Sequence, residues 1–568
     1  MNLVNLKLAP AAVLLALLSA CGGTQHDAST AAPQALKRQG GIELAATTVT
    51  QTMTPAQASR LLGLATFGPS GVSINELTAS GPSAWFANQF QLQQTLHRFD
   101  LKAVQTLMGG TTPTQSQVWE SFWKQAATGN DQLRQRMAYA LSQIFVVSAV
   151  DNNVGSHPYG LASFYDTLGQ YAFGNYRDLL QAVALHPMMG IYLSHMRNEK
   201  ESGTRVPDEN FAREVMQLMS IGLYELNQDG SPKLDASGKP IETYTHDDVA
   251  GLAKVFTGWS WGGPDKTNER FLGWVADPSR DWLPMQNYPA YHSTSEKHFL
   301  GVTISGATSG ESDLKVALDR LFNHPNVGPF IGRQLIQRLV SSNPSPAYVG
   351  RVAAAFADNG AGVRGDMKAV IRAVLLDPEA STAGVKLREP VLRLANWMRA
   401  FYVKSDSGRF MMTQLDDPLD GLGQNPQRAP SVFNFYRPTY TPPNTTLATA
   451  GLEAPEMQIT AEPSVTGYLN LMQSAVQYGI GPNHDIKPDY TIELALAATP
   501  EQLMDRVNLL LMAGTMSSTL RSQILGAINT LTLPAPTNTN AAQIIGIKQN
   551  RVYTAIFLTM ASPEYLVQ

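Results

Sequence analysis

Apolar residues recur three and four positions apart along most of this chain, the spacing that marks one face of an α-helix. Between 133 and 148 they fall at Leu133, Met137, Ala140, Leu141, Ile144 and Phe145; after His324-Pro325 they fall at Val327, Phe330, Ile331, Leu335 and Leu339. The same period predicts helices near 348–356, 366–376, 388–401, 504–512 and 550–560. A helix start stands at Thr54-Pro55-Ala56-Gln57, with Thr as N-cap and Pro at the first helical position, ahead of Ala58, Leu61, Leu62 and Ala65. Alternating strands are scarce. The best hairpin lies between Tyr224 and Tyr244, with turns at Asp229-Gly230 and Ser237-Gly238. Its Asp229, Ser231 and Asp235 miss the calcium-loop spacing and read as a solvated turn. Residues 405–460, rich in Pro, Gly and aromatics, break the period and predict a long irregular excursion, the kind of segment that is often functional. The fold class is therefore mainly α: a multi-helical globular body with a small β-hairpin and a long Pro/aromatic-rich irregular segment. No internal repeat stands out.

The first residues do not belong to that pattern. Lys7 precedes an apolar run from Leu8 to Leu18, followed by Leu18-Ser19-Ala20-Cys21-Gly22. A positive residue, a short apolar stretch and small residues before a break form an export signal. The run is too short to span a bilayer, which needs about 20 residues. It resembles a bacterial lipobox, which makes Cys21 the lipidated first residue of the mature chain. Residues 1–20 read as signal peptide, 21–53 as a flexible tether and 54–568 as the folded body, with a sub-boundary near 405–460. Gly22, rather than Asp, resembles the context for outer-membrane sorting. Cys21 is the only cysteine, so its lipidation leaves no thiol for a disulfide, a thiolate metal site or a nucleophile. With charged residues at 15% and a net charge of −4, a nucleic-acid partner is not expected.

Four polar segments carry the candidate chemistry. In 207–222, Phe211, Val215, Met216, Leu218 and Met219 make an apolar helical face, while Asn210, Arg213, Glu214 and Gln217 form a polar stripe. The stripe is either a solvated face or one holding a buried Arg213–Glu214 pair; Asp208 is placed as a cap and Glu209 suits the first turn. At Thr245-His246-Asp247-Asp248, Thr245 and Asp248 fit a capping box. His246 as a metal ligand would need two more ligands from elsewhere, and no metal site is assigned. The third segment is Tyr291 to Gly301, with His292 and His298. The fourth runs from Gly423-Gln424-Asn425-Pro426 to Pro438, where Asn434, Tyr436 and Arg437 either line a carbohydrate or peptide groove or pin the loop to the core. Gly-x-Ser-x-Gly, His-Glu-x-x-His and phosphate-cradling motifs are absent from the sequence.

Together, several pieces resemble the bacterial family called domain of unknown function 1800. They are Ser59-Arg60-Leu61-Leu62 with Ala65-Thr66-Phe67-Gly68, the 209–222 helix, Asp247-Asp248-Val249 with Thr257-Gly258-Trp259, the stretch from His292 to Gly301, the loop 429–438, and Ala561-Ser562-Pro563-Glu564-Tyr565. The chain departs from the family pattern at the residue after His292, at Ser295 and at Ser142-Gln143-Ile144-Phe145, where some members carry histidines. The resemblance implies an exported helical protein, often encoded beside a sulfatase- or phosphatase-like exported protein, and supplies no reaction, cofactor or catalytic residue. The favoured expectation is a membrane-anchored accessory or scaffold protein for an envelope or surface-polymer process. The alternative is a hydrolase of an extracellular polymer, with Glu209 and Glu214 as acid and base, Arg213 holding an anionic group, and His246, Asp247 or His292 assisting. On an ideal helix, five residues turn about 140°, so Glu214 would need a partner from another segment, Asp247 or His292.

Overall fold

Helices form where the apolar period follows a capping side chain. In the computed structural model, which describes residues 53–382, 386–412 and 414–568, Thr54 Oγ1 accepts from Gln57 N at 3.2 Å and Gln57 Oε1 accepts from Thr54 N at 2.9 Å. That reciprocal pair opens the helix Pro55–Ala65. The signal segment and Cys21 lie outside the described residues. The described residues form one unit. Among the described residues the fold is mainly α, with three two-stranded antiparallel sheets.

The period from 133 onward becomes the helix Gln132–Ser142, with Leu133, Met137, Ala140 and Leu141 fully buried. It stops short of 148. Ile144 N and Phe145 N both turn back onto Leu141 O. Beyond them the irregular segment takes the chain: Ser148 Oγ donates to Ala429 O at 2.7 Å and Ala149 N to Gln427 O at 2.8 Å. The other periodic stretches fold as Val327–Leu339, Pro346–Ala357, Met367–Leu375, Pro390–Ala400, Pro500–Met512 and Ala541–Ala561.

The expected hairpin at 224–244 is present only as isolated bridges, Tyr224 to Glu242, Leu226 to Pro232 and Leu234 to Pro240. Proline has no N–H to give a ladder, so Pro232 and Pro240 prevent continuous strands. Asp229 and Asp235 each accept from the serine two residues on, closing solvated turns. Continuous pairs form instead between Trp259–Ser260 and Gln286–Asn287, between Lys297–Phe299 and Val302–Ile304, and between Lys404–Ser405 and Ile486–Lys487. The helix His246–Val255 presses on Lys297–Phe299 so closely that a Cβ on Gly251 would sit 1.6 Å from the His298 carbonyl oxygen.

Among the described residues, 405–460 is irregular apart from Ser405 at the end of its strand pair and the helical turns Thr446–Thr449 and Pro455–Ile459. Ion pairs hold the segment to the body and to itself: Arg409 to Glu120 at 2.7 Å and Arg428 to Asp416 at 3.0 Å. It lies over one end of the Gln132–Ser142 helix, and together they enclose the site described next.

Candidate functional site

A glutamate placed immediately before a helix-starting proline is the centre of this site. Pro390 fixes the first turn of Pro390–Ala400, and Glu389, fully buried, points its carboxylate toward the Gln132–Ser142 helix. Its Oε2 accepts from Tyr139 Oη at 2.8 Å, Gln143 Nε2 at 2.6 Å and Gln424 Nε2 at 2.8 Å. Tyr139 and Gln143 come from the helix and its last turn; Gln424 comes from the irregular segment. Behind them lie two buried guanidiniums. Arg136 Nη2 donates to Arg338 O at 2.9 Å, and Arg338 Nη2 donates to Gln143 O at 3.0 Å.

A small hollow opens on this cluster, with Tyr139, Gln143, Asn425 and Asn434 on its polar side and Val146 and Phe164 on its apolar side. Three lining side chains carry buried polar atoms with no protein partner: Gln143 Oε1, Asn425 Oδ1 and Asn434 Nδ2. Immediately behind, Glu389 Oε1, Tyr436 Oη, Arg136 Nε and Nη1, and Arg338 Nε are also without one. A buried polar atom left unpaired costs about 1–3 kcal/mol. This concentration of unmet donors and acceptors therefore favours a polar occupant.

The electrostatics are those of a dry compartment. Burial, then the charge of Glu389, pushes the Tyr139 phenol well above its ordinary value. Burial does the same to Tyr436, aided by Glu389 and Glu456. Burial lowers the proton affinity of Arg136, and Glu389 opposes that shift. Glu456 is raised by burial and held by the Lys386 ammonium, with which it forms a buried ion pair. The phenols are thus neutral donors, and the hollow offers hydrogen bonds of both senses beside an apolar wall.

Of the binding residues expected from sequence, Asn434 lines the hollow and Tyr436 stands behind it. Arg437 is outside, stacked on Phe433 at 5.1 Å, and Asn210 is exposed on a different helix, Asn210–Gln217. The residues expected for catalysis are divided among three places. Glu209 Oε2 receives Arg213 Nη2 at 3.0 Å and lies 3.7 Å from His246 Nδ1, a surface group in which the His246 side chain is 73% exposed. Asp247 beside them is exposed as well. Glu214 turns inward: its Oε2 is buried without a partner, and burial raises its carboxyl despite the opposing charge of Arg213.

His292 lies elsewhere, in a closed compartment. Its Nδ1 meets Thr257 O at 2.8 Å and its Nε2 meets Asp313 Oδ2 at 2.9 Å. Both ring nitrogens are therefore engaged, and neither Glu214 nor Asp247 is among the partners. Among the described residues, no group of three or more His, Asp or Glu is placed to hold a metal ion. Asp208 Oδ1 accepts from Asn210 N at 2.8 Å, and Thr245 with Asp248 forms the capping box.

Glu389, Arg136, Arg338, Tyr139 and Gln143 carry no sequence motif. The legible signals were an Arg388-Glu389-Pro390 start to a strongly apolar helix and an arginine, Arg136, in the middle of the Leu133–Met137 apolar face.

Over residues 60–567 the sequence matches the family described as Protein of unknown function (DUF1800). The chain belongs to the DUF1800 family. No curated protein and no solved structure matches it. The irregular segment that walls the hollow and the helix that carries Glu389 both lie inside the DUF1800 match.

Proposed function

We propose that this DUF1800 protein is an exported, lipid-anchored accessory protein of the cell envelope that acts by binding, with the Glu389 hollow as its recognition site. The lining of the hollow supports this reading: amide groups of unmet hydrogen-bonding capacity face an apolar wall, which suits holding a polar partner group. The anchor in this reading is the lipid on Cys21, with the outer membrane as the destination, facing the periplasm or the surface. The partner is a sulfatase- or phosphatase-like exported protein, and the process is the assembly or handling of a surface polymer. Pull-down from detergent-solubilised membranes tests it. The wild-type chain should recover such a partner, and Asn434→Leu should lose it while remaining folded. Equal recovery by both, or no reproducible partner, would count against the reading.

One observation favours the hydrolase alternative. Glu214 holds a buried carboxyl, raised by burial, at the inner edge of a surface that also carries Glu209, Arg213 and His246. A raised carboxyl beside a charged surface is a general-acid arrangement. Glu214→Gln separates the two readings: a folded variant that abolishes the cellular phenotype while keeping the partner supports hydrolysis, and an unchanged phenotype rejects it.

A further inference from the structure

A larger cleft lies between the Pro55–Ala65 helix, Arg388 and the chain's last residues. Ser59 to Leu62, Ala65 to Gly68 and Ala561 to Tyr565 all contribute to it or border it, and none of them has a part in the hollow. Two arginines face it. Arg60 donates from Nε to Ala380 O at 3.0 Å and from Nη2 to Thr382 O. Arg388 donates from Nε to Gln568 Oε1 at 3.2 Å and from Nη1 to Asn396 Oδ1 at 3.2 Å, with the Tyr565 ring 4.4 Å from its guanidinium carbon.

All these acceptors are neutral. Among the described residues no carboxylate pairs with either guanidinium, and Nη1 of Arg60 and Nη2 of Arg388 have no hydrogen-bond partner. Glu564 also lines the cleft, but its two oxygens are committed to Ser517, from N at 2.9 Å and from Oγ at 2.6 Å. The Gln568 side-chain amide nitrogen is buried there without a partner. Burial and repulsion from Arg388 both lower the proton affinity of Arg60, so the two cations stand close enough to disfavour each other. Like charges held together in a half-buried cleft are relieved by an entering anion, and a guanidinium suits an oxyanion through charge-assisted hydrogen bonds.

We propose that this cleft binds an oxyanion, the phosphate, sulfate or carboxylate group of a ligand, between Arg60 and Arg388, with the Gln568 amide as a third donor. The anion would be chelated by Nη1 of Arg60 and Nη2 of Arg388, both at the lining of the cleft.

Isothermal titration of the full, detergent-solubilised chain with inorganic phosphate, sulfate and acetate, at constant ionic strength in chloride, tests the site and separates the sources. Saturable binding of at least one oxyanion at one site per chain is expected. Phosphate or sulfate without acetate would mark a tetrahedral group, and acetate without them a carboxylate. Arg60→Gln and Arg388→Gln should each weaken the binding by about tenfold or more, the loss of one charge-assisted pair. Arg521→Gln, which touches a surface pair with Asp505 at 2.9 Å, should leave it unchanged. Should either glutamine variant fail to fold, Arg60→Lys and Arg388→Lys keep the charge and lose the fork, and weaker binding is again expected. Absence of saturable binding by all three anions, or equal binding by wild type and the arginine variants, would overturn the proposal.

Discussion

Asp313 Oδ2 sits 2.9 Å from both His292 Nε2 and Lys297 Nζ, and all three side chains are buried. Lys297 also donates to Ser293 O at 2.9 Å and Ser295 O at 3.2 Å, so every strong donor in the compartment has an acceptor. Burial alone would raise the Asp313 carboxyl, but hydrogen bonds from His292 and its neighbours hold it below the usual range. His292, which the sequence presents as a candidate for chemistry, is engaged here at both ring nitrogens in joining the 257–258 turn to the Gly310–Phe322 helix.

Removing the shared carboxylate should be severe. Asp313→Ala leaves the Lys297 ammonium buried without its counter-charge and is expected to lower stability by about 3–5 kcal/mol, read as a shift in urea midpoint. A loss below about 1 kcal/mol, the worth of an exposed pair, would contradict the burial of this network.

Gly251 should tolerate no side chain. The helix His246–Val255 lies against main chain at this position, and neither the helix nor the strand can give way at a single atom. Gly251→Ala is expected to cost about 3 kcal/mol or more, enough to deplete soluble protein on expression. Recovery of a variant with a wild-type melting temperature would refute the close approach.

Asp166 makes stability depend on pH. Burial raises its carboxyl to about 6, although Oδ1 accepts from His97 N at 2.7 Å and Oδ2 from Arg98 N at 3.1 Å. The unfolded chain titrates near 3.9, so the folded state holds the proton more tightly. The contribution is complete below about pH 4 and is lost as pH rises through about 6. Relative to Asp166→Asn, which does not ionise, the wild type should lose about 2–3 kcal/mol between about pH 4 and pH 7. Parallel stability profiles for the two proteins would reject this.

Glu389 balances Arg136 and Arg338. Glu389→Ala strips the charge and orphans three donors, with an expected loss of about 3–5 kcal/mol. Glu389→Gln keeps the shape and one acceptor, and its loss should be smaller. Melting curves for the pair check the order, and a reversed order would show that Tyr139, Gln143 and Gln424 do not need an acceptor at this position.

The sequence revealed those features whose cause is local. Thr54 with Gln57 and Thr245 with Asp248 form caps because each box needs only four consecutive residues. The period from Val327 to Leu339 becomes helix because burial of one face depends on spacing alone. The stop at Ser142 was not legible, since the chain there is captured by Ala429 and Gln427, nearly three hundred residues away in sequence. The polar stripe 210–217 shows the same limit: Arg213 goes to the surface and Glu214 into the interior, a division set by what packs against the helix. Asn434 and Tyr436 are legible as amide and aromatic groups in a constrained loop. Glu389 is not, because its three donors come from positions that only the fold brings together.

The irregular segment at 405–460 gives the hollow a kinetic character. The helical body supplies Arg136, Tyr139, Gln143, Arg338 and Glu389, and this segment supplies Gln424, Asn425, Asn434 and Tyr436. Until it docks, those groups are hydrated, so the desolvation falls entirely on the docking step. Each polar atom left unmet on docking costs about 1–3 kcal/mol that an occupant would recover, so amides of the segment are expected to exchange more slowly when the hollow is filled. An occupant that satisfies the free amides would then hold the segment down and slow its own release.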